Sequence, residues 1–191
     1  MSATSTKNVS IRLMSGGHAF STKELEELLQ SGACREVEVV TAKTILRPEQ
    51  GFDSTMAQRD FEELGFAIDE DEVVVCSPSK YGRVALMAIG KECYERLISI
   101  GSEVVFTSPL IDGDDLEQGS SLTLVGDVLY VRVYNEGLRF AEAIAVQSDA
   151  DLLYYLESIH RVYNIYNMYA RALGDKERVV KVCGKLFKQL E

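Results

Sequence analysis

The chain has 191 residues, 46% of them apolar and 26% charged, enough for one ordinary domain or two small halves that each bury a core. Its formal net charge is −10. A field of that sign repels phosphate backbones and anionic lipid, so nucleic acid is not an expected partner. The chain opens with no charged-then-apolar leader and holds no apolar run of bilayer length, so a cytoplasmic protein without membrane insertion is expected. Cys34, Cys76, Cys93 and Cys183 are widely spaced without a C-x-x-C pair and read as reduced thiols.

In chain order, residues 1–8 read as a flexible N-terminus, and Val9 to Leu13 as a short strand. Ser15-Gly16-Gly17 supplies a turn and His18 to Thr22 a return strand, which together predict a β-hairpin. Ser21 and Glu24 form a capping-box pair before a helix carrying Leu25, Leu28 and Leu29, which Gly32 closes. Glu36 to Arg47 is rich in β-branched residues and reads as one strand stopped by Pro48. Asp53 caps a helix running to Leu64 with Ala57, Phe61 and Leu64 inward.

Val73 to Cys76 and Arg83 to Ile89 are apolar runs separated by the turn Ser77-Pro78-Ser79-Lys80. Lys91 to Ile100 predicts a helix closed by Gly101, and Glu103 to Thr107 a buried strand. Pro109 to Ser121, with Asp112, Gly113, Asp114 and Asp115, reads as the boundary between halves, its solvated acidic linker covering 112–121. The halves are then 9–111 and 122–191. A long hairpin over Thr123 to Val146 turns near Asn135-Glu136-Gly137. Ser148 and Asp151 cap a helix to Tyr163 with Leu152, Leu156, Ile159 and Tyr163 on one stripe. Met168 to Leu173 is strand-like, with a Tyr and Ala content that also allows a helix. Gly174-Asp175 then opens a last helix with Val179, Cys183, Leu186 and Leu190 on one face, and Lys176, Arg178, Lys181, Lys185 and Lys188 on its polar side.

The chain also matches itself. Val9 to Phe20 aligns without gaps on Leu129 to Phe140, with Arg12 on Arg132, Gly17 on Gly137 and Phe20 on Phe140. Two hairpins, each followed by alternating helices and strands, predict an α/β fold of duplicated mixed sheets, the plan of the actin-like, ribonuclease-H-like architecture. Three segments carry a resemblance over most of the chain. They are Val9-Ser-Ile-Arg-Leu, Thr44-Ile-Leu-Arg-Pro-Glu-Gln-Gly-Phe and Asp149-Ala-Asp-Leu-Leu-Tyr-Tyr-Leu. In these it resembles an uncharacterised Bacteroidetes family of unknown function with a degenerate actin-like ATPase fold.

That resemblance implies a nucleotide site which the residues do not support. Actin-like ATPases hold Mg-nucleotide with an Asp on the first strand of each half, because the metal wants hard carboxylate oxygens and the phosphates want backbone N–H groups in a glycine turn. Here Arg12 and Arg132 stand on the matching strands. The Asp112-Gly-Asp-Asp115 loop lacks calcium-loop spacing, His18 and His160 are the only histidines, and the chain has no Walker loop, dinucleotide fingerprint, G-x-S-x-G or H-E-x-x-H motif. No metal and no cofactor are expected. The expectation is a non-catalytic interaction or assembly scaffold with a protein partner or a homo-oligomeric state. The Tyr154, Tyr155, Tyr163, Tyr166 and Tyr169 set would serve as core or interface. The alternative is a nucleotide-binding or phosphotransfer enzyme using Arg12, Gly16, Gly17 and His18 of the first hairpin with Arg132, Asn135 and Gly137 of the second.

Overall fold

The structure, a computed structural model, describes residues 9–14, 34–99 and 104–191. The expected flexible N-terminus, the return of the first hairpin, the helix built on Leu25, Leu28 and Leu29, and Gly16, Gly17 and His18 lie outside the described residues. The chain forms two compact units, Met1–Thr41 with Arg47–Ser108, and Ala42–Leu46 with Pro109–Glu191.

In the first unit β1 (Val9–Met14), β2 (Cys34–Val40) and β6 (Val105–Thr107) form a sheet in the order β1-β2-β6, every pair parallel. Parallel strands are buried on both faces by their connections, and Val37, Val39, Val40 and Phe106 are core residues. Between β2 and β6 in the chain comes an inserted stretch: β3 (Thr44–Pro48), whose residues Thr44 to Leu46 count with the second unit, then a 3-10 turn (Ser54–Met56), α1 (Ala57–Glu63), β4 (Glu72–Cys76), β5 (Arg83–Gly90) and α2 (Lys91–Ser99). Its strands run in the order β3-β5-β4, and central β5 is buried from Val84 to Ile89.

The single strand expected over Glu36 to Arg47 is two strands. The chain turns at Thr41 to Lys43, where Thr44 N–H donates to the Ala42 carbonyl at 2.9 Å. No Gly, Pro, Asn or Asp marks that turn, so composition hides it. Asp53 does cap: its Oδ1 accepts from the Thr55 N–H at 2.9 Å and from the Thr55 hydroxyl at 2.8 Å. Leu64, expected inward, is 51% exposed, because the helix stops at Glu63 and Gly65 follows at φ +89°.

The second unit contains β7 (Gln118–Val125), β8 (Val128–Asn135), β9 (Leu138–Ala145), α3 (Asp149–Tyr163), β10 (Tyr169–Gly174), α4 (Lys176–Cys183) and β11 (Gln189–Leu190). Its sheet runs β11-β10-β7-β8-β9: an antiparallel meander β7-β8-β9 extended by the parallel strands β10 and β11. The long hairpin expected over Thr123 to Val146 is therefore three strands. Gly126-Asp127 makes a two-residue turn between the first two of them, and a Gly-Asp pair between apolar runs is a recognised hairpin signal. The last helix ends at Cys183, so Leu190 joins β11, and Leu186 is 36% exposed.

The helix-covered face of this sheet is the core. Leu122, Leu124, Leu129, Val131, Val133 and Ile144 meet Leu152, Leu156 and Ile159 of α3 and Val179 and Cys183 of α4. Each such leucine contributes roughly 1.5–3 kcal/mol by leaving water. Ser148 and Asp151 form the expected capping box at the start of α3.

The two units share one motif: three strands paired in parallel in chain order, β1-β2-β6 in the first and β7-β10-β11 in the second. This sets the register of the repeat. The sequence self-match lays β1 on β8, but β8 is antiparallel on both sides, and the topological counterpart of β1 is β7. The self-match rests on apolar alternation, which any two strands share.

Candidate functional site

The residues expected to form a ligand site fall into separate settings. Arg12 on β1 lies directly across from Glu38 on β2 in the strand register, and its Nε donates to the Glu38 carboxylate. Asn135 ends β8 and Gly137 follows in the β8–β9 turn, where the Arg139 Nε donates to the Asn135 carbonyl at 2.7 Å. That turn lies at the other end of β8 from Gly126-Asp127, the turn that follows β7.

Arg132 sits mid-strand on β8, only 3% exposed. Its Nη2 reaches Ser121 Oγ at 3.5 Å, and its guanidinium lies over the Tyr134 ring at 5.9 Å. The expected linker crosses this side chain: a Cβ on Gly113 would stand 3.2 Å from Arg132 Nη2. The residues flanking that glycine are Asp112 and Asp114, and the Tyr134 hydroxyl donates to Asp115 Oδ1 at 3.1 Å. Leu110 and Ile111 are buried, and Gln118 to Ser121 belong to β7. A buried guanidinium needs counter-charge and hydrogen-bond acceptors, and the segment that passes closest to it is rich in carboxylates. Asp114 also helps keep Arg171 charged, after the larger effect of the neighbouring Tyr169 hydroxyl.

A second polar cluster gathers at the carboxyl ends of β7 and β10, the edge of an α/β sheet where ligands commonly dock. Gly174 takes φ +70°, and a Cβ there would fall 2.0 Å from the Leu124 carbonyl oxygen, so only glycine lets the strands meet. The Asp175 N–H donates to the same carbonyl at 2.7 Å, and Val146 N–H to the Asp127 carbonyl at 2.8 Å. These bonds bring the Gly126-Asp127 turn and the starts of α3 and α4 together. Arg178 Nε donates to Asp149 Oδ1 at 2.8 Å, and Asp175 caps α4 by accepting from the Arg178 N–H at 3.1 Å. The hydrogen bond to Asp149 comes first in holding Arg178 charged, and the charges of Asp149, Asp127 and Asp175 add to it. Beside them lies an open depression lined by Gly174, Asp175, Lys176, Glu177, Val180 and Lys181. Sequence reasoning missed this group, whose members are scattered along the chain. Its one local signal is the Gly126-Asp127 turn.

Chemically, two of the carboxylates here are already committed. Asp149 is spent on Arg178 and Asp175 on the helix cap, so a metal would have to displace an arginine and uncap a helix. Among the described residues no three His, Cys, Asp or Glu side chains come together in a metal-holding group. His160, between core and surface, is occupied as well: its Nδ1 accepts from Tyr166 N–H. Of the tyrosines, Tyr155, Tyr163 and Tyr166 pack against the core and Tyr154 is 65% exposed.

No protein-family model matches the chain, and no curated protein matches it in sequence. Solved structures do. The chain has an actin-like ATPase fold: it superposes with a TM-score of 0.74 and 18% identity on a Bacteroides thetaiotaomicron protein of that fold and of unknown function, over 97% of this chain and 90% of the other. It also superposes, at a TM-score of 0.50 and 17% identity, on the cytoplasmic domain of EpsL, an inner membrane component of the type II secretion system of Vibrio cholerae, over 95% of this chain and 83% of that one. Identities this low establish the fold alone. No helix among the described residues is long and apolar enough to cross a membrane.

Proposed function

We propose that this chain is a non-catalytic assembly scaffold on a degenerate actin-like fold, working in the cytoplasm through protein contacts. The observation that carries the reading is the make-up of the topologically equivalent strands β1 and β7. Their sequences, VSIRLM and QGSSLTLV, contain no carboxylate at all. The positions from which an actin-like ATPase would hold its metal instead offer Arg12, bound to Glu38, and a serine-threonine strand. The likeness to a secretion-system component supports the reading by analogy of fold.

The test is a thermal-shift series with ATP, ADP and GTP, with and without Mg²⁺, on the wild-type chain and on Arg12→Ala. A ligand bound only by the native state adds about 2.7 kcal/mol at a hundred times its dissociation constant, which moves the melting point of a chain this size by several degrees. The scaffold reading expects a flat series. A nucleotide-dependent rise that Arg12→Ala abolishes would overturn it and favour the alternative, a nucleotide site using Arg12 with Gly16, Gly17 and His18.

A further inference from the structure

The two most exposed of the exposed large apolar side chains among the described residues are Val162 at 72% and Tyr154 at 65%. Both lie on α3, eight positions apart, so their Cα atoms stand about 12 Å apart along the helix. Ser158 lies midway on the same i, i+4 row, and its hydroxyl is turned back onto the Tyr154 carbonyl at 2.9 Å. A hydroxyl consumed by its own helix presents a small and nearly apolar surface. Tyr154, Ser158 and Val162 therefore form a ridge, low in the middle, that runs from the side of α3 opposite its core residues Leu152 and Leu156, at Tyr154, round to the flank beside Ile159, at Val162. Along one flank run Glu157 and Arg161, both exposed, and neither forms an ion pair with any described residue. Helices usually close an i, i+4 pair of this orientation on themselves.

We propose that this ridge is the docking surface for a second copy of the chain, α3 against α3, antiparallel about a two-fold axis through Ser158. The self-complementarity argues for that occupant. An antiparallel pairing centred on Ser158 sets Tyr154 of one copy against Val162 of the other, and reciprocally. The small serine lets the axes approach at the centre, as ridge-into-groove packing requires. A two-fold perpendicular to both helices brings like flanks together, so Glu157 of each copy comes alongside Arg161 of the other. A foreign helix would satisfy the apolar pair equally well, but the reciprocal charges suit a second copy. The surface deepens the scaffold reading and rests on it. The two fail separately, because nucleotide binding is read by thermal shift and this contact by sedimentation.

The experiment is sedimentation velocity on the full chain over a concentration series, with melting curves to show that each variant stays folded. Wild type is expected to form a dimer with increasing concentration, over tens to hundreds of micromolar, roughly what so small a contact supports. Val162→Glu, at a site open to water, is expected to leave the melting point unchanged and weaken the dimer at least tenfold. Arg161→Glu alone places like charges alongside and is expected to weaken it severalfold. Exchanging the pair, Glu157→Arg with Arg161→Glu, restores opposite charges and should return the affinity to within about threefold of wild type. A chain that stays monomeric throughout would overturn the proposal. So would a dimer indifferent to Val162→Glu, or one that the charge exchange fails to rescue.

Discussion

The backbone N–H of Tyr166 donates to Nδ1 of His160 at 3.2 Å, and the two rings stack with centroids 4.1 Å apart. The contact ties the last turn of α3 to the 3-10 turn Ile165–Asn167 that leads into β10. It also fixes the tautomer, since an accepting Nδ1 leaves the proton on Nε2. His160→Phe keeps a ring for Tyr166 to stack on but removes the acceptor. Urea denaturation is expected to show a loss of about 1 kcal/mol, the net worth of one such hydrogen bond. No loss would mean that stacking alone holds the joint.

Arg132 supports a different comparison. Arg132→Ala leaves a cavity and strands the surrounding polar groups, and is expected to cost about 3 kcal/mol. Arg132→Met fills much of the volume with apolar atoms and should cost clearly less. The measurement is the pair of denaturation midpoints. If alanine and methionine cost the same, the guanidinium contributes through charge alone and the packing account of the Gly113 crossing is wrong.

Glu142 lies on β9 between Phe140 and Ile144, which contact the core. Desolvation pushes its carboxyl above the ordinary value of 4.5. The sign follows from linkage. A carboxyl that is a weaker acid in the folded state favours folding while protonated and loses that advantage as pH rises from 4.5 through the folded value. Glu142→Gln is therefore expected to be slightly more stable than wild type at pH 7, by on the order of 0.5 kcal/mol or less given the exposure of the group. The difference should vanish below pH 4.5, where the glutamate is protonated in both states. Melting curves at pH 4 and pH 7 decide it, and a variant less stable at pH 7 would refute the assignment.

What the sequence disclosed was mostly local. The Ser148–Asp151 capping box and the stripe Leu152, Leu156, Ile159 sit within one helix, so their spacing alone specifies α3. The actin-like plan was visible in the alternation of helices and strands and in the three resembling segments. Strand partners were not, because pairing β7 with β10 joins residues that are distant in the chain and leaves no local trace. Without that pairing, the self-match sets β8 rather than β7 as the counterpart of β1. Arg132 was singled out, but its burial was hidden by its surroundings: β8 is buried on both faces, so alternation does not separate an inward arginine from an outward one. The cluster of Asp127, Asp149, Asp175 and Arg178 exists only once two turns and two helix starts have been folded onto one sheet edge.

The joint at Gly174 bears on how distant members of this fold can be found. Two independent constraints, the left-handed backbone angle and the Leu124 carbonyl 2.0 Å from where a Cβ would stand, bar every other residue from that position. At 18% identity to a structural neighbour, overall similarity carries little signal. A chain that builds the same close approach must still place a glycine between its crossover strand and the helix that follows. A search profile weighted on that glycine, with a capping acid directly after it and an apolar strand before it, would look for the joint itself and could reach chains whose remaining residues have drifted beyond recognition.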